Sequence, residues 1–376
     1  YEVCKKHLRK SELNNYLVEA YLNGCVNTGN YDEAVEFIDT TPFKWRENPI
    51  ILGVLANLYG KLDQTPERQL QYNEKAFKID PKNECIRWNL SLSQMRMGKL
   101  EKAFKNYECR MEWEDFPSPR RKFTKPAWNN TIHKNSRILI WAEQGIGDNF
   151  RFLSALPTFL KTYPNVIIEP PKKMTEILES TFPEIQVRSE NFHPEHLNCQ
   201  VEDFDYQLPV GTMFLSMLAT YHKKLENENF SLGWSYLKPD KLRKNFWKLK
   251  LDNLSSKPKI GFLWRSSLNT KDRERHYTQI ERWKSLLLDE RYSFVNLQYD
   301  LTHDEFITEN DYLGNYFLDT GYLDQKDDLE GAASLISNLD LVISPASSPS
   351  MISSSLNVPT IIYSDANVFW FGRLGK

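Results

Sequence analysis

Three short segments carry the polar and glycine residues that could bind a ligand or move a proton. The first, WAEQGIGD, ends in the carboxylate of Asp148 and contains Gly145 and Gly147. A carboxylate can take the proton of a reacting hydroxyl, and glycine permits tight turns and close approach of a ligand. A plain helix N-terminus would use Asp148 equally well as a cap. No Gly-Lys-Ser/Thr follows, and Phe150 stands where a dinucleotide fingerprint needs its last glycine.

The second segment, RSSLNTKDRERH at 265–276, combines hydroxyl groups such as Ser266 with several cations, among them Lys271 and Arg275. Guanidinium and ammonium groups bind phosphate oxygens, so this segment could hold a diphosphate. A solvated charged loop would have the same composition, and both interpretations stay open.

The third segment, SPASSPSM at 344–351, has the composition of a helix start. Ser347 or Ser348 would cap the helix and Pro349 would lie in its first turn, which leaves backbone N–H groups for phosphate. Capping alone also explains much of this composition.

The elements that must position these segments are alternating strands and helices. After Trp113, strands are predicted at RILIW, NVIIEP, EIQVRS and YQLP, and a second series follows at KIGFLW, YSFVNLQY, NYFLDTG, LDLVISP and TIIYS. Helical stretches are predicted between them, including one from about 149 to 163. This alternation predicts parallel sheets with helices on both faces. Ligands of such sheets bind beyond the carboxyl ends of strands, where all three segments fall.

The chain before Trp113 has a helical pattern with an internal repeat. Gly29 precedes Ala34 by five residues, and Gly98 precedes Ala103 by the same interval, 69 residues later. That offset is two periods of roughly 34 residues, the tetratricopeptide length. Three such repeats would form a short solenoid whose concave face binds a peptide or protein. An unrelated helical bundle is the alternative.

The predicted organisation is therefore an N-terminal tetratricopeptide-type α-solenoid followed by two Rossmann-like parallel-sheet domains. The boundaries fall at 1–116, 117–256 and 257–376, and the proline-rich segment DFPSPRRKFTKPAWNNT serves as an entry linker to the second of these domains. The division between the last two lies in the break near Asn253–Pro258.

Composition excludes several classes of function. The 376 residues include 48 Lys and Arg against 50 Asp and Glu, a net charge of −2 that argues against nucleic-acid binding and a polybasic membrane surface. No apolar run reaches the roughly 18 residues of a transmembrane helix. Five scattered cysteines without a C-x-x-C pair favour a reducing cytoplasm over a disulfide framework or a zinc site. A start at Tyr1 suggests a fragment.

Two further features have structural and functional interpretations. Asp203 and Asp205 form an Asp-x-Asp pair like that of metal-binding sugar transferases, although a structural use is favoured. Aromatic residues make up 13% of the chain, with 10 Trp. Trp128, Trp141 and Trp264 could stack on a base or sugar, while core packing is the preferred interpretation.

The run YECRMEWEDFPSPRRKFTKPAWNN followed by RILIWAEQGIGDNFRFLSALPTF resembles the bacterial tetratricopeptide-repeat glycosyltransferases. Their C-terminal part is of the GT-B type found in heptosyltransferases and O-GlcNAc transferase. The resemblance continues through DYQLPVGTMF, KIGFLWRSS, DRERHYTQIERWKSLL, FVNLQYD and AASLISNLDLVISPASSPSMISSSLNVPTII. It implies inverting sugar transfer from a nucleotide sugar, and the favoured acceptor is a protein recruited by the repeats. No motif requires a cofactor or metal, because cationic side chains could stabilise the departing diphosphate.

The resemblance also implies roles for single residues. Asp148 matches a base-like carboxylate that is supported by the loop residues Gln144, Gly145 and Gly147. The residues that match donor-binding positions are Ser266, Lys271, Arg275, Gln298, Ser347, Ser348 and Met351.

The third segment departs from the family pattern. Pro345 and Ala346 replace the usual Asp-Thr, and Met351 stands where His is common. Leaving-group stabilisation would then fall to backbone N–H groups and to Lys271 or Arg275. Three functions stay open: a cytoplasmic glycosyltransferase acting on protein, an inactive repeat scaffold that retains a nucleotide-binding half, and a transferase acting on a small or lipid-linked glycan.

Overall fold

The computed structural model forms two compact units, Tyr1–Phe116 and Pro117–Ser364. It describes residues 2–8, 14–41, 47–62, 66–114, 116, 118–129, 133–191, 195, 197–225, 235–267, 277–301, 304–305, 307, 310 and 316–363, without the side chains of 100 and 218–225. Lys271 and Arg275 of the second segment lie outside these residues.

The first unit is built from helices that recur at a regular interval. They are α1 (Glu2–Leu8), α2 (Asn15–Thr28), α3 (Tyr31–Thr40), α4 (Pro49–Leu62), α5 (Pro66–Ile79), α6 (Glu84–Arg96) and α7 (Leu100–Tyr107), followed by a 3-10 turn at Glu108–Met111. Successive starts of α2, α4 and α6 are 34 and 35 residues apart, and those of α3, α5 and α7 are 35 and 34 apart.

The helices α2 to α7 form three consecutive pairs, α2 with α3, α4 with α5 and α6 with α7. A glycine follows the first helix in two of these pairs. Gly29 after α2 and Gly98 after α6 have φ angles of 78° and 70°. This left-handed conformation is unfavourable for residues with a Cβ atom. Each helix contacts its partner in the pair, and α2, α4 and α6 contact one another in turn. The core between the first pairs is apolar, with Val18, Leu22 and Leu55 buried.

The second unit contains two four-stranded parallel sheets. In the first sheet, β1 (Ile138–Trp141), β2 (Val166–Glu169), β3 (Gln186–Val187) and β4 (Tyr206–Pro209) are ordered β3-β2-β1-β4. In the second, β5 (Lys259–Phe262), β6 (Ser293–Asn296), β7 (Leu341–Pro345) and β8 (Thr360–Tyr363) are ordered β6-β5-β7-β8. Each residue of β1, β2, β5 and β6 is buried, as expected for parallel strands that are covered on both faces. The inner residues of these strands are apolar, and their polar residues, such as Glu169 and Lys259, lie at strand ends. The predicted strand NYFLDTG is reduced to one bridge, Phe294–Phe317.

Helices flank both sheets. They are α8 (Ile146–Leu153), α9 (Leu156–Leu160), α10 (Thr175–Thr181), α11 (Val210–Leu225), α12 (Lys241–Leu254), α13 (Lys284–Leu287), α14 (Leu329–Ile336) and α15 (Ser348–Ser355). The prediction of a single helix over 149–163 is wrong, because the chain forms two helices there, α8 and α9. Pro157 lies in the first turn of α9 and has no N–H to continue the ladder of α8.

The proline-rich segment before β1 is attached to the first sheet. Lys122 bridges to Asn198, and Ala127 bridges to Gln207 of β4. Main-chain bonds from Lys122 N to Leu197 O at 2.7 Å and from Trp128 N to Gln207 O at 2.9 Å fix its path. The predicted entry linker is therefore bonded to β4 and to the chain at 197–198.

Helix α12 packs against α14, a helix between β6 and β7 of the second sheet, although α12 precedes the predicted boundary at 256/257. Asn338 Nδ2 donates to Lys244 O at 3.0 Å, and Arg243 pairs with Asp328 at the start of α14. Both sheets belong to one compact unit, so that boundary stays a prediction. Within the described ranges, no helix is both long and apolar enough to cross a bilayer.

Candidate functional site

The three candidate segments follow strands at the points where strand order reverses. In the first sheet this switch lies between β1 and β4, and in the second between β5 and β7. Residues 142–145 follow β1, 263–267 follow β5, and 346–347 follow β7. Carboxyl ends at a switch point border the crevice in which open α/β sheets bind ligands.

The N-termini of α8 and α15 bring the two sheets' loops together. A Cβ placed on Gly147 would lie 3.5 Å from Met351 Cγ and 3.7 Å from Ser348 N, both ordinary contact distances. The first turn of α8 therefore packs on the first turn of α15, and Asp148 is one residue from this contact.

Asp148 occupies the third position of α8 and caps it. Its Oδ2 accepts a hydrogen bond from Gly145 N at 3.2 Å, and its Oδ1 lies 3.7 Å from Arg151 Nη1. The side chain keeps 35% of its surface exposed. The capping interpretation therefore describes a real contact, while the carboxylate also stays accessible from solvent.

The loop before Asp148 is held in an uncommon conformation, and the residue responsible is Gln144. It has a φ of 62°, whereas neither Gly145 nor Gly147 has a positive φ. Gln144 N donates to Ser118 Oγ at 2.9 Å, and Asn149 Nδ2 donates to Gly145 O at 2.9 Å. These bonds stabilise a backbone conformation that residues other than glycine rarely adopt.

Glu143 is a buried carboxylate that sequence analysis missed. Only 3% of its surface is exposed, and its Oε1 accepts a hydrogen bond from Gly211 N at 2.9 Å. Gly211 lies at the start of α11, directly after β4, so Glu143 ties the two loops of the first switch point together. An acidic residue two positions beyond an apolar strand was the available signal.

Ser266 and Gln298 lie together, but their polar atoms bond within the second sheet's loops. Ser266 Oγ is 2.7 Å from Tyr299 Oη. The Gln298 side chain donates to Arg265 O at 3.0 Å and accepts from Arg265 N at 3.4 Å. Both residues are buried. They fix the loop after β5 onto the loop after β6, a role that spacing alone did not reveal.

Helix α15 begins as the sequence predicts, with Ser347 at the cap position and Pro349 in the first turn. The Ser347 hydroxyl donates to Pro345 O at 3.1 Å. Ser347 N donates to Ser350 Oγ at 3.0 Å. Met351 is 7% exposed and fills the contact with α8.

The remaining candidates have structural roles. Trp128, Trp141 and Trp264 are buried, as the core-packing interpretation predicts. Asp203 pairs with Arg188 at 2.9 Å, and Asp205 accepts from a main-chain N–H at 2.8 Å. Among the described residues, no group of three or more His, Cys, Asp or Glu side chains is arranged to hold a metal ion.

Comparison with known proteins gives distant relatives. No protein-family model matches the chain. Protein FlbA of Caulobacter vibrioides is 25% identical over 286 residues, which cover 73% of this chain and 47% of FlbA. The chain thus spans about half the length of this curated relative.

The solved structures to which this chain shows a low similarity include two sugar transferases. The glycosyl transferase family 9 structure from Veillonella parvula matches 62% of this chain and 82% of its own at 14% identity and a TM-score of 0.43. The E. coli heptosyltransferase WaaC with ADP-2-deoxy-2-fluoro heptose matches 60% and 88% at 14% identity and a TM-score of 0.37. Scores this low assign neither a fold nor an activity to this chain.

Proposed function

We propose that this chain is an inverting glycosyltransferase that moves a sugar from a nucleotide-sugar donor to an acceptor hydroxyl. The observation that carries the proposal is the contact between α8 and α15 at Gly147 and Ser348. It sets a half-exposed carboxylate, Asp148, beside a second helix N-terminus. The Asp148 carboxylate can accept a proton, and the N-terminus of α15 attracts an anion through its oriented N–H groups.

In the proposed reaction, the acceptor hydroxyl attacks C1 of the donor sugar while Asp148 takes its proton. The bond between C1 and the diphosphate oxygen breaks, and its electron pair leaves with the nucleoside diphosphate. A single displacement inverts the configuration at C1. The first turn of α15 would hold the diphosphate, with Lys271 and Arg275 as further cations and with Ser266 and Gln298 shaping the floor of the donor site.

The role of Asp148 is tested with Asp148→Asn, because asparagine keeps an oxygen that can accept the Gly145 N–H. The matched control is Asp252→Asn on α12, where the carboxylate pairs with Lys248 at 2.7 Å. Donor hydrolysis and transfer are measured for each variant with UDP-, ADP- and GDP-sugars. We expect Asp148→Asn to slow turnover about 10²- to 10⁴-fold and the control to match wild type. Equal turnover by Asp148→Asn would contradict the assignment.

An inactive nucleotide-binding scaffold is the second candidate, and Met351 favours it. The thioether packs between the two helices and has no acid–base chemistry to offer the leaving group. Under this proposal, calorimetry detects UDP, ADP or GDP binding while every donor is turned over at the background rate. Turnover that depends on Asp148 rejects it.

We further propose that the helical unit is a tetratricopeptide array that recruits a protein acceptor. The 34- and 35-residue spacing of helix starts supports the array. A groove of about 540 Å³ lies among α3, α4 and α5. In it, Tyr59 and Tyr72 stack with ring centroids 5.2 Å apart, and Lys75 lies 5.4 Å from the Tyr72 ring. Aromatic faces flanked by cations suit an acidic peptide.

Charge reversal tests the groove. Lys75→Glu should raise KM for an acidic acceptor protein and leave donor hydrolysis unchanged, because the groove touches only the acceptor. Lys78→Glu, on the same helix outside the groove lining, is the matched control. If a free glycan is glycosylated equally well by both variants and protein acceptors are not modified at all, the small-glycan alternative replaces this proposal.

A further inference from the structure

The guanidinium of Arg151 lies between the two helices of the proposed site. Its Nη1 is 3.7 Å from Asp148 Oδ1 on α8, and its Nη2 is 3.8 Å from Met351 Sδ on α15. The side chain is 17% exposed. Arg151 follows Gly147 by one helical turn, so it projects from the same face of α8 that contacts α15.

The neighbour on α15 is a poor partner for a cation. A thioether sulfur is a weak acceptor, whereas a guanidinium binds two phosphate oxygens at once through its planar fork. A diphosphate at the first turn of α15 would therefore be a better partner for Arg151 than Met351 is. The exposed part of the side chain leaves a route for that exchange.

We infer that Arg151 binds the diphosphate of the donor and stabilises its charge as the sugar departs. This inference rests on the proposed glycosyl transfer. The electron pair of the breaking C1–O bond stays on the diphosphate oxygen, and Arg151 compensates that charge without giving up a proton, because arginine stays protonated in proteins. The cation then comes from α8, which follows β1 of the first sheet, while the anion-binding N–H groups belong to α15, which follows β7 of the second sheet.

A role through Asp148 alone is the competing explanation. In that case Arg151 orients the carboxylate, and its loss changes kcat and the pH profile without changing the affinity for nucleoside diphosphates. Diphosphate affinity in the absence of an acceptor therefore separates the two roles.

The test compares Arg151→Met, which keeps the apolar stem, with Arg151→Lys, which keeps the charge but not the fork. Arg291→Met is the matched control, since Arg291 is exposed and pairs with Asp289 at 2.6 Å. Calorimetry measures UDP, ADP and GDP and their parent nucleosides against each variant. Thermal unfolding verifies that each variant is folded.

We expect Arg151→Met to bind the preferred diphosphate about 10- to 100-fold more weakly and its nucleoside within about twofold of wild type. Arg151→Lys should fall between, and Arg291→Met should match wild type. In Arg151→Ala, added guanidinium should restore part of kcat, which a purely structural role would not show.

Each outcome decides a separate question. If the wild-type chain binds a diphosphate and Arg151→Met binds it equally, the role of Arg151 is overturned while the proposed function stands. If Arg151→Met weakens diphosphate and nucleoside alike, the loss is structural and the role is again overturned. If no nucleotide binds the wild-type chain, the proposed function fails and the role of Arg151 fails with it.

Discussion

A buried ion cluster at the carboxyl end of β2 gives a stability prediction that can be worked from the structure. Glu169 has no exposed surface and pairs with Arg121, whose side chain is 1% exposed. Arg188 Nε lies 2.6 Å from the other carboxylate oxygen. Burial alone would lower the pKa of Arg188, but its hydrogen bond with Glu169 raises it on balance. The carboxylate therefore compensates the charges of two guanidinium groups inside the unit.

The perturbation is Glu169→Gln, which retains the shape and removes the charge. Breaking a buried pair from one side costs about 3–5 kcal/mol, because the remaining charges lose their compensation without regaining water. In a domain of this size, each kcal/mol shifts Tm by about 2–4 °C. We therefore expect Tm to fall by about 6–20 °C.

The control is Glu176→Gln on α10, where the carboxylate is 63% exposed and pairs with Arg243 at 3.0 Å. An exposed pair contributes about 0–1 kcal/mol, so this Tm should fall by at most about 4 °C. Circular dichroism reports global unfolding, and Trp141, whose ring lies 5.9 Å from Arg121 Cζ, contributes a local fluorescence signal. Equal losses of Tm in the two variants would refute the reasoning that burial amplifies this pair.

Three further predictions concern single contacts and pH. Gly261→Ala should cost about 1–3 kcal/mol in a urea titration, because its Cβ would lie 2.6 Å from Leu339 Cδ1; an unchanged midpoint would contradict this. Asn73→Ala should cost about 1–3 kcal/mol, since Asn73 Nδ2 donates to buried Ser93 Oγ at 2.6 Å; a change confined to the second unit would be contrary evidence. Burial raises the pKa of Glu330, so the folded state retains its proton longer. Stability should therefore fall as pH rises above about 4.3, and Glu330→Gln should remove that slope.

The positions of most strands were predictable from sequence, because buried parallel strands consist largely of short apolar runs. The predicted strand at 137–141 corresponds to Ile138–Trp141, and the predicted strand at 259–264 corresponds to Lys259–Phe262. Apolar content does not by itself make a ladder, however. NYFLDTG has the composition of a strand, yet it joins β6 only through Phe317.

The details of the site were less predictable, because they depend on contacts between distant segments. Gln144 takes its left-handed conformation where Ser118 and Asn149 bond to the loop, and neither spacing nor propensity signals this. Gln298 matches a donor-binding position, while its amide is engaged by the Arg265 main chain 33 residues away. Periodicity locates a loop at a strand end but not the partners of its side chains.

The departures at Pro345, Ala346 and Met351 leave the start of α15 intact. Pro345 pairs with Tyr363 of β8 in the sheet register, and its carbonyl accepts from the Ser347 hydroxyl at 3.1 Å. The start of the helix is therefore tied to the main chain of Pro345, and the side chains that differ from the family pattern do not make these two contacts. Since main-chain N–H groups bind an anion but carry no net charge, a diphosphate held there needs a cation from elsewhere. Arg151 reaches this helix from α8, and under the proposed mechanism it supplies that cation from the side of the first sheet.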